Sequence, residues 1–203
     1  MSETKKNLRQ TVLTKLAALS MVARRGDSRR VVERLTSCVE WQRATTVLAF
    51  YSFGAEVDTH EFLAECLRQG KTLALPRLRS RNIISVHHVT NLDVDLERNR
   101  LGFREPNCHL AEISLSQIDL VIVPGLAYDL KGNRLGRGRG CYDHLLASRE
   151  LQAVCCAIVF DCQVVAAVPT TAHDRPVDMV VTESRVLRWD RHTPMRHVLM
   201  NDV

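Results

Sequence analysis

The sequence predicts an α/β domain in which helices lie on both sides of a largely parallel or mixed sheet. Short apolar runs rich in β-branched residues, such as Leu120-Val121-Ile122-Val123, are typical of fully buried strands. Between such runs lie segments with apolar residues at helical spacing, for example Leu8, Val12 and Leu16. Strands that alternate with helices favour parallel pairing. We therefore expect a three-layer α/β/α, Rossmann-like architecture.

Turn and capping residues divide the chain into elements. Asp58-Thr59-His60-Glu61 matches a capping box, with Val57 and Phe62 as its hydrophobic staple. Asp27 or Ser28 should cap the second helix, and Pro76 should end a strand. In chain order we expect helices at residues 4–19, 28–38 and 58–69 and from residue 142, and strands at 45–51, 72–75, 83–89, 120–123, 153–160, 164–168 and 179–182. Residues 98–115 should be mostly irregular.

The composition is that of an ordinary globular protein with an aliphatic core. Of 203 residues, 45% are hydrophobic, 25% are charged and only 5% are aromatic. We expect a single domain over residues 1–203, whose polar end, residues 190–203, should fray. The net charge of +5 suits anionic ligands, and weak contact with nucleic acid would fit equally well.

Several signals favour a cytoplasmic protein without a metal-thiolate site. No apolar run approaches the roughly 18 residues that a membrane helix needs, and residues 1–10 lack the apolar centre of a secretory signal. The seven cysteines are irregularly spaced and form no C-x-x-C pair, which indicates reduced thiols. His87 and His88 are adjacent on a predicted strand, so they point to opposite faces and cannot easily chelate one metal.

A cationic, glycine-rich loop is the most informative feature of the chain. Pro124-Gly125 breaks the strand at 120–123, and further on Gly136, Gly138 and Gly140 alternate with Arg137 and Arg139 before a helix begins. Glycines let backbone amides approach a ligand, and the helix N-terminus and the arginines add positive charge, so this loop can hold phosphate. The loop contains no G-x-x-x-x-G-K-[ST] motif. It is not a G-x-G-x-x-G loop either, because Cys141 stands where the third glycine of that motif belongs.

The same loop resembles the signature of the 5-formyltetrahydrofolate cyclo-ligase family. That family shows P-G-x-A-[FY]-D followed by G-x-R-L-G-x-G-x-G-[YF]-Y-D. Here the first segment is Pro124-Gly125-Leu126-Ala127-Tyr128-Asp129, and the second runs from Gly132-Asn133-Arg134-Leu135 to Tyr142-Asp143. The pattern departs at Cys141, where the family has an aromatic residue. The resemblance extends along nearly the whole chain.

The resemblance implies an ATP-dependent ligase of one-carbon metabolism. Such an enzyme converts 5-formyltetrahydrofolate into 5,10-methenyltetrahydrofolate with release of ADP and phosphate, and Mg²⁺ is its cofactor. Phosphorylation of the formyl oxygen makes it a good leaving group, and ring closure then expels phosphate. Catalysis would be mostly alignment and charge neutralisation. The partners would be ATP and the folate, with no membrane and no nucleic acid, and we expect a monomer.

Carried over residue by residue, the resemblance assigns roles to two ligand sites and a metal site. Arg137 should lie closest to the transferred phosphoryl group and act as the catalytic residue. The ATP-binding residues would be Lys5, Arg9, Arg134, Leu135, Gly136, Arg137, Gly138, Arg139, Gly140, Cys141 and Tyr142. The folate-binding residues would be Tyr51, Glu56, Arg137, Gly138, Arg139, Gly140 and Cys141. Asp143 and Asp174 would lie near Mg²⁺. A weaker resemblance places Gly102-Phe103-Arg104-Glu105-Pro106 near the substrate.

Plainer interpretations of these residues remain open. Lys5 and Arg9 share a helix face and could form a solvated basic edge. Glu56 could simply be exposed before a helix, and Asp143 could be a first-turn acid stabilised by the helix dipole. At the level of function, the rivals are a non-catalytic nucleotide or sugar-phosphate binding protein and an RNA-binding module that uses the RGRG loop.

Cys141 carries its own expectation. A thiol flanked by positive charge at a helix N-terminus should ionise easily, so we expect Cys141 to be the most rapidly alkylated of the seven cysteines. Its small side chain could also lower the affinity for folate, because it leaves space where the family packs a ring.

Overall fold

The structure, a computed structural model, describes residues 3–80, 82–100 and 102–189. The predicted fraying of residues 190–203 therefore lies outside the described residues, and the single-domain organisation stays a prediction. The helices are α1 Glu3–Ala18, α2 Met21–Thr36, α3 Val39–Arg43, α4 His60–Arg68 and α5 Cys141–Leu146. The strands are β1 Thr46–Leu48, β2 Thr72–Leu78, β3 Ile84–Val89, β4 Leu96–Arg98, β5 Arg104–Pro106, β6 Leu120–Ile122, β7 Ala127–Asp129, β8 Arg134–Leu135, β9 Val154–Ile158, β10 Val164–Val165, β11 Met179–Val181 and β12 Val186–Arg188.

A seven-stranded sheet in the order β12-β11-β9-β6-β1-β2-β3 forms the centre of the molecule. Its five inner strands run parallel, whereas the edge strands β12 and β3 are antiparallel to their neighbours. Helices lie on both faces of this sheet. The predicted three-layer α/β/α architecture with a largely parallel sheet is therefore confirmed.

The two faces of the sheet are covered unequally. Val12 of α1, Val31 of α2, Trp41 of α3 and Phe62 of α4 are all buried in one core cluster. On the other face, α5 contributes Leu145 and Leu146 to a second cluster, which also contains Val121 and Tyr128. Four helices thus pack on one face, and the short α5 packs on the other, where it starts directly after the glycine loop.

Helix α2 begins earlier than the sequence predicts. Its N-cap is Ser20, whose side chain accepts a hydrogen bond of 3.1 Å from the amide of Ala23. Asp27 and Ser28, which were predicted as caps, lie within the helix and use their side chains for other contacts. Asp27 pairs with Arg30, and the hydroxyl of Ser28 accepts a bond of 3.0 Å from the amide of Asp58. The predicted start at residue 28 was therefore wrong.

The predicted capping box at α4 was also wrong. The N-cap is Thr59, which is fully buried, and its hydroxyl donates to the carbonyl of Phe50 at 2.8 Å. The same hydroxyl accepts from the amide of Ser52 at 3.0 Å, while Asp58 Oδ1 accepts from the amide of His60 at 2.9 Å. Thr59 therefore fixes the loop between β1 and α4, which carries Tyr51 and Glu56, instead of capping the helix.

Strand β2 continues through Pro76, where a strand end was predicted. The Thr72 amide donates to the Thr45 carbonyl, so the amide of every second residue of β2, counted from Thr72, points toward β1. The nitrogen of Pro76 is at one of these positions. The pairing with β1 ends at Ala74, so the missing N–H of Pro76 interrupts no ladder bond.

Three groups of short strands differ from the prediction, and helix α3 was not predicted. Strands β4 and β5 form an antiparallel hairpin inside the segment expected to be irregular. Strands β10, β7 and β8 form a small separate sheet. The strand predicted at 164–168 is therefore only β10, and it lies outside the large sheet. Strand β12 closes one edge of the large sheet. Each of these strands is only two or three residues long, too short for a periodic pattern to be visible.

The structure shows the surroundings of His87 and the character of the described helices. His87 is a satisfied core residue, with Nδ1 2.8 Å from the Leu110 carbonyl and Nε2 2.8 Å from the hydroxyl of Ser85. Among residues 3–80, 82–100 and 102–189, no helix combines the length and apolar character that crossing a bilayer requires.

Candidate active site

A cavity of about 780 Å³ opens where the parallel strands of the large sheet end. Its walls include Phe50 and Tyr51 after β1, Leu75 and Pro76 near the end of β2, and Pro124 and Gly125 after β6. The carboxyl ends of parallel strands are the usual position of ligand clefts in open α/β sheets, because the loops that follow neighbouring strands diverge there. The volume is in the range of small-molecule and cofactor sites.

Close packing under the cavity floor explains Gly125. The Tyr128 hydroxyl donates to the Val123 carbonyl at 2.8 Å and thereby folds the tyrosine ring back beneath the Pro124-Gly125 turn. A Cβ at position 125 would lie only 2.5 Å from that hydroxyl oxygen. The tyrosine and the glycine of the P-G-x-A-[FY]-D segment therefore depend on each other sterically.

The glycine loop connects β8 to α5 and forms one wall of the cavity. Gly140 caps α5 in the left-handed region, at φ 72°, which a residue with a Cβ adopts only at a cost. Arg134, just before the loop, is 4% exposed and forms an ion pair of 2.6 Å with Asp143 just after it. This buried ion pair fixes the two ends of the loop against each other.

Helix α1 supplies a second cationic wall. Arg9 Nε donates to the Gly136 carbonyl at 2.9 Å, so the helix is in direct contact with the glycine loop. One turn earlier, Lys5 Nζ lies 2.6 Å from Asp174 Oδ2, and both side chains are largely buried. The two cations therefore face the cavity, which rules out the solvated basic edge considered for this helix.

Glu56 also lines the cavity and contacts the loop. Its Oε1 accepts from Arg137 Nη2 at 2.8 Å and Nε at 3.2 Å, and its Oε2 accepts from the Phe53 amide at 3.1 Å. The Glu56 side chain is 13% exposed, so it is not the free surface carboxylate of the plainer interpretation. The guanidinium of Arg137 also lies 4.5 Å from the ring centroid of Phe53.

The electrostatics of the cavity favour an anionic ligand. Among the described residues, six cationic and three carboxylate side chains line it. Burial acts to raise the pKa of Asp174, but hydrogen bonds from Lys5 and Thr171 outweigh burial and hold that pKa below its usual value. The carboxylate therefore stays charged at neutral pH and keeps Lys5 in place.

Two buried polar atoms of cavity-lining residues lack a partner within the described part of the chain. These are the Tyr142 hydroxyl and Arg134 Nε, both buried. Burial also raises the pKa of Tyr142, so its hydroxyl remains protonated and available as a donor. Unpaired buried donors cost free energy, because the hydrogen bonds that they made to water in the unfolded chain are not replaced.

Asp143 and Asp174 fit a magnesium ion that arrives with a nucleotide. They lie near each other, because the Arg175 amide donates to Asp143 Oδ1 at 3.3 Å. Each is already paired with a cation through one oxygen, and the other oxygen accepts no hydrogen bond from the described residues. No group of three or more metal-ligating side chains occurs within those residues. Mg²⁺ commonly takes one or two carboxylates and completes its shell with phosphate oxygens and water.

The structure brings all the sequence-predicted site residues to this one cavity, while the individual roles of these residues stay predictions. The cavity is lined by Lys5, Arg9, Tyr51, Glu56, Arg134, Leu135, Gly136, Arg137, Gly138, Arg139, Gly140, Cys141, Tyr142, Asp143 and Asp174.

The aromatic wall was largely missed. Phe53 and Phe103 stack with their ring centroids 5.4 Å apart, and both line the cavity with Arg104. Only the weak G-F-R-E-P resemblance indicated Phe103 and Arg104, and nothing in the sequence indicated Phe53 except its place three residues before Glu56.

The expectation that Cys141 ionises easily is contradicted, and its rate of alkylation stays a prediction. Burial raises the pKa of its thiol, and the nearby Arg139 only partly opposes that rise. The thiol is half-buried beside Asp143, whose negative charge also disfavours the thiolate. Desolvation therefore outweighs the local positive charge, and the expectation of easy ionisation, which counted the positive charge and the helix N-terminus but not burial, was wrong.

The fold and the cavity are those of an α/β protein with a cationic ligand cleft at the ends of its parallel strands. Comparison with known proteins makes the assignment specific. The chain belongs to the 5-formyltetrahydrofolate cyclo-ligase family, whose sequence model matches residues 1–183.

Relatives along most of the chain agree with this assignment. The chain is 34% identical to the 5-formyltetrahydrofolate cyclo-ligase of Escherichia coli K12 over 151 residues, which cover 72% of this chain and 82% of that protein. It is 28% identical to the mouse protein of the same name, over 88% of this chain and 93% of the mouse chain. The NMR structure of Aquifex aeolicus 5,10-methenyltetrahydrofolate synthetase superposes with a TM-score of 0.82 at 32% identity, covering 98% of this chain and 99% of that chain.

Proposed function

We propose that this protein is an enzyme that converts 5-formyltetrahydrofolate into 5,10-methenyltetrahydrofolate at the expense of ATP, with release of ADP and phosphate. One observation carries the proposal. In a chain of the cyclo-ligase family, the glycine loop, the α1 cations and Glu56 converge on a single cavity of about 780 Å³. Family membership indicates the reaction, and the convergence supplies a place where both substrates could meet.

The α1 side of the cavity is proposed to hold the triphosphate. Lys5, Arg9 and the loop amides would neutralise the phosphate oxygens, and buried Arg134 would keep the loop in its shape. When bound, Mg²⁺ would neutralise further phosphate charge, held by Asp143 and Asp174. Binding a nucleotide here requires that the cations exchange part of their contact with carboxylates for contact with phosphate.

Glu56 is proposed to orient the folate. Its carboxylate could accept paired hydrogen bonds from the amino-pyrimidine edge of the pterin, and Arg137, which binds Glu56, would lie between that edge and the phosphates. The formyl oxygen attacks the γ-phosphorus, and the bond from that phosphorus to the leaving ADP oxygen breaks. The second folate nitrogen then attacks the formyl carbon and loses its proton, and the carbon–oxygen bond breaks as phosphate leaves. Arg137 would neutralise charge in both steps.

The test is to mix purified protein with ATP, Mg²⁺ and 5-formyltetrahydrofolate and to follow the methenyl chromophore. We expect one ADP for each methenyl product and no reaction after removal of divalent cations by a chelator. AMP and pyrophosphate as products, or no chromophore from a folded protein, would contradict the proposal.

The rival functions receive less support. An RG element that binds RNA is usually disordered and repeated, whereas this loop is fixed between β8 and α5 by the Arg134–Asp143 ion pair. A non-catalytic binding protein would not need Glu56 and Lys5 together, and both lie at the cavity.

A further inference from the structure

Arg104 differs in its position from every other cation that lines the cavity within the described part of the chain. The other five cationic lining residues lie on α1 or in the segment from β8 through the glycine loop: Lys5, Arg9, Arg134, Arg137 and Arg139. Arg104 lies on β5, in a separate hairpin, and its wall of the cavity is otherwise apolar, with Leu78, Ile84 and Phe103. Arg104 therefore places a positive charge on an apolar wall, in a segment remote in sequence from the glycine loop. This position suits an anionic group other than the phosphates.

The contacts of Arg104 leave its charge uncompensated. No carboxylate in residues 3–80, 82–100 and 102–189 forms an ion pair with it, although its strand neighbour Glu105 pairs with Arg77. Its Nη2 makes only long bonds of 3.3 Å to the carbonyls of Asp93 and Leu96. Its guanidinium lies 5.4 Å from the ring centroid of Tyr51, which holds it against the cavity wall. By contrast, Lys5, Arg134 and Arg137 each already have a carboxylate partner.

The side chains between Glu56 and Arg104 have an order that suits one elongated ligand. Glu56 binds Arg137, the Arg137 guanidinium lies over the Phe53 ring, and Phe53 stacks on Phe103, the neighbour of Arg104. The series runs from a hydrogen-bonding carboxylate, across stacked rings, to an unpaired cation. A folate has the matching order of a pterin, an aromatic ring and a tail with carboxylates.

We propose that Arg104 binds a carboxylate of the folate's glutamate tail and thereby sets the preference of the enzyme for glutamate-bearing substrates. This inference rests on the function proposed above. Arg104 acts on substrate affinity, because the tail is remote from the formyl group and contributes equally to ground state and transition state. The triphosphate is the competing source of anionic oxygens, and it is assigned above to the α1 side of the cavity.

The experiment compares two substrates in Arg104→Gln. With 5-formyltetrahydrofolate, the KM should rise about 10-fold or more, because a charge-assisted hydrogen bond is lost, while kcat and the KM for ATP stay unchanged. With 5-formyltetrahydropteroate, which lacks the glutamate, wild type and variant should have the same KM. A merely structural role for Arg104 would weaken both substrates alike, which would overturn the proposal. A rise in the KM for ATP would do the same and would move Arg104 to the nucleotide.

Arg98→Gln is the matched control. Arg98 lies directly opposite Arg104 in the β4–β5 hairpin, but it is exposed and does not line the cavity. This variant should behave as wild type with both substrates. Wild-type turnover tests the proposed function by itself. An active wild type in which Arg104→Gln leaves the folate KM unchanged would refute the inference about the tail and leave the reaction intact.

Discussion

Neighbouring groups fix the positions of single side chains in this cavity, and Glu56 is the clearest case. It is held by the Phe53 amide and by Arg137, so its carboxylate has a fixed position and a fixed charge partner. The side chain could not be assigned from the sequence alone, because a glutamate just before a helix is commonly exposed. Its place opposite the glycine loop results from the fold of the loop between β1 and α4.

Glu56→Gln should weaken the use of folate much more than the use of ATP. The substitution keeps the shape of the side chain but removes the charge, and a charged hydrogen bond contributes about 1.5–3 kcal/mol, so kcat/KM for folate should fall roughly ten- to hundred-fold. Steady-state kinetics with each substrate varied in turn measure this. Glu61→Gln, at an exposed position of α4, is the control. A variant in which only the KM for ATP changes would show that Glu56 serves the nucleotide.

Thiol reactivity should follow exposure. Cys108 is exposed, whereas Cys141 is half-buried and its pKa is raised, so less of it is thiolate at neutral pH. Brief iodoacetamide treatment followed by peptide mapping should find Cys108 alkylated before Cys141. The Cys108→Ser variant should lose the fast labelling phase and keep full turnover, since Cys108 does not line the cavity. Labelling of Cys141 first would restore the expectation drawn from the sequence.

At the scale of elements, α1 is both a structural element and one wall of the cavity. Its apolar residues Val12 and Leu16 pack in the core, and its polar face meets the glycine loop through Arg9. The helix itself was predictable from its periodicity. The direction of its cationic face was not, because that depends on where the helix packs.

Arg9→Ala should raise the KM for ATP about tenfold, because it removes a phosphate-neutralising charge and the bond to the Gly136 carbonyl. Lys6→Ala is the matched control, since Lys6 is an exposed cation on the same helix and does not line the cavity. Initial rates at varied ATP and saturating folate provide the comparison. If both variants show the same change, only the general charge of α1 matters and the specific placement of Arg9 is wrong.

The loop between β1 and α4 depends on Thr59. In Thr59→Val, the Phe50 carbonyl and the Ser52 amide lose their partner in a fully buried site, which should reduce the free energy of unfolding by about 1–3 kcal/mol. Urea denaturation measures this value. Thr14→Val, at an exposed position of α1, should stay within about 0.5 kcal/mol of wild type. Equal stability of Thr59→Val and wild type would show that the loop is held by other contacts.

At the scale of the whole molecule, the sequence predicts what depends on local pattern. Buried parallel strands read as continuous apolar runs, so β1, β6, β9 and β11 are recognisable from the sequence. The small sheet is not, since β8 consists only of Arg134 and Leu135 and one of them is a buried charge. The same holds for the site. The glycine loop is contiguous and carries its own signature, whereas the wall with Phe53, Phe103 and Arg104 exists only after distant segments have packed together.

The central claim is that the formyl oxygen is phosphorylated before the ring closes. The most direct measurement uses 5-formyltetrahydrofolate labelled with ¹⁸O in the formyl group, turned over with Mg²⁺ and unlabelled ATP, and mass spectrometry of the phosphate released. Because the carbon–oxygen bond breaks after phosphoryl transfer, we predict one ¹⁸O atom in each phosphate. Unlabelled phosphate, with the ¹⁸O released to water, would contradict the account.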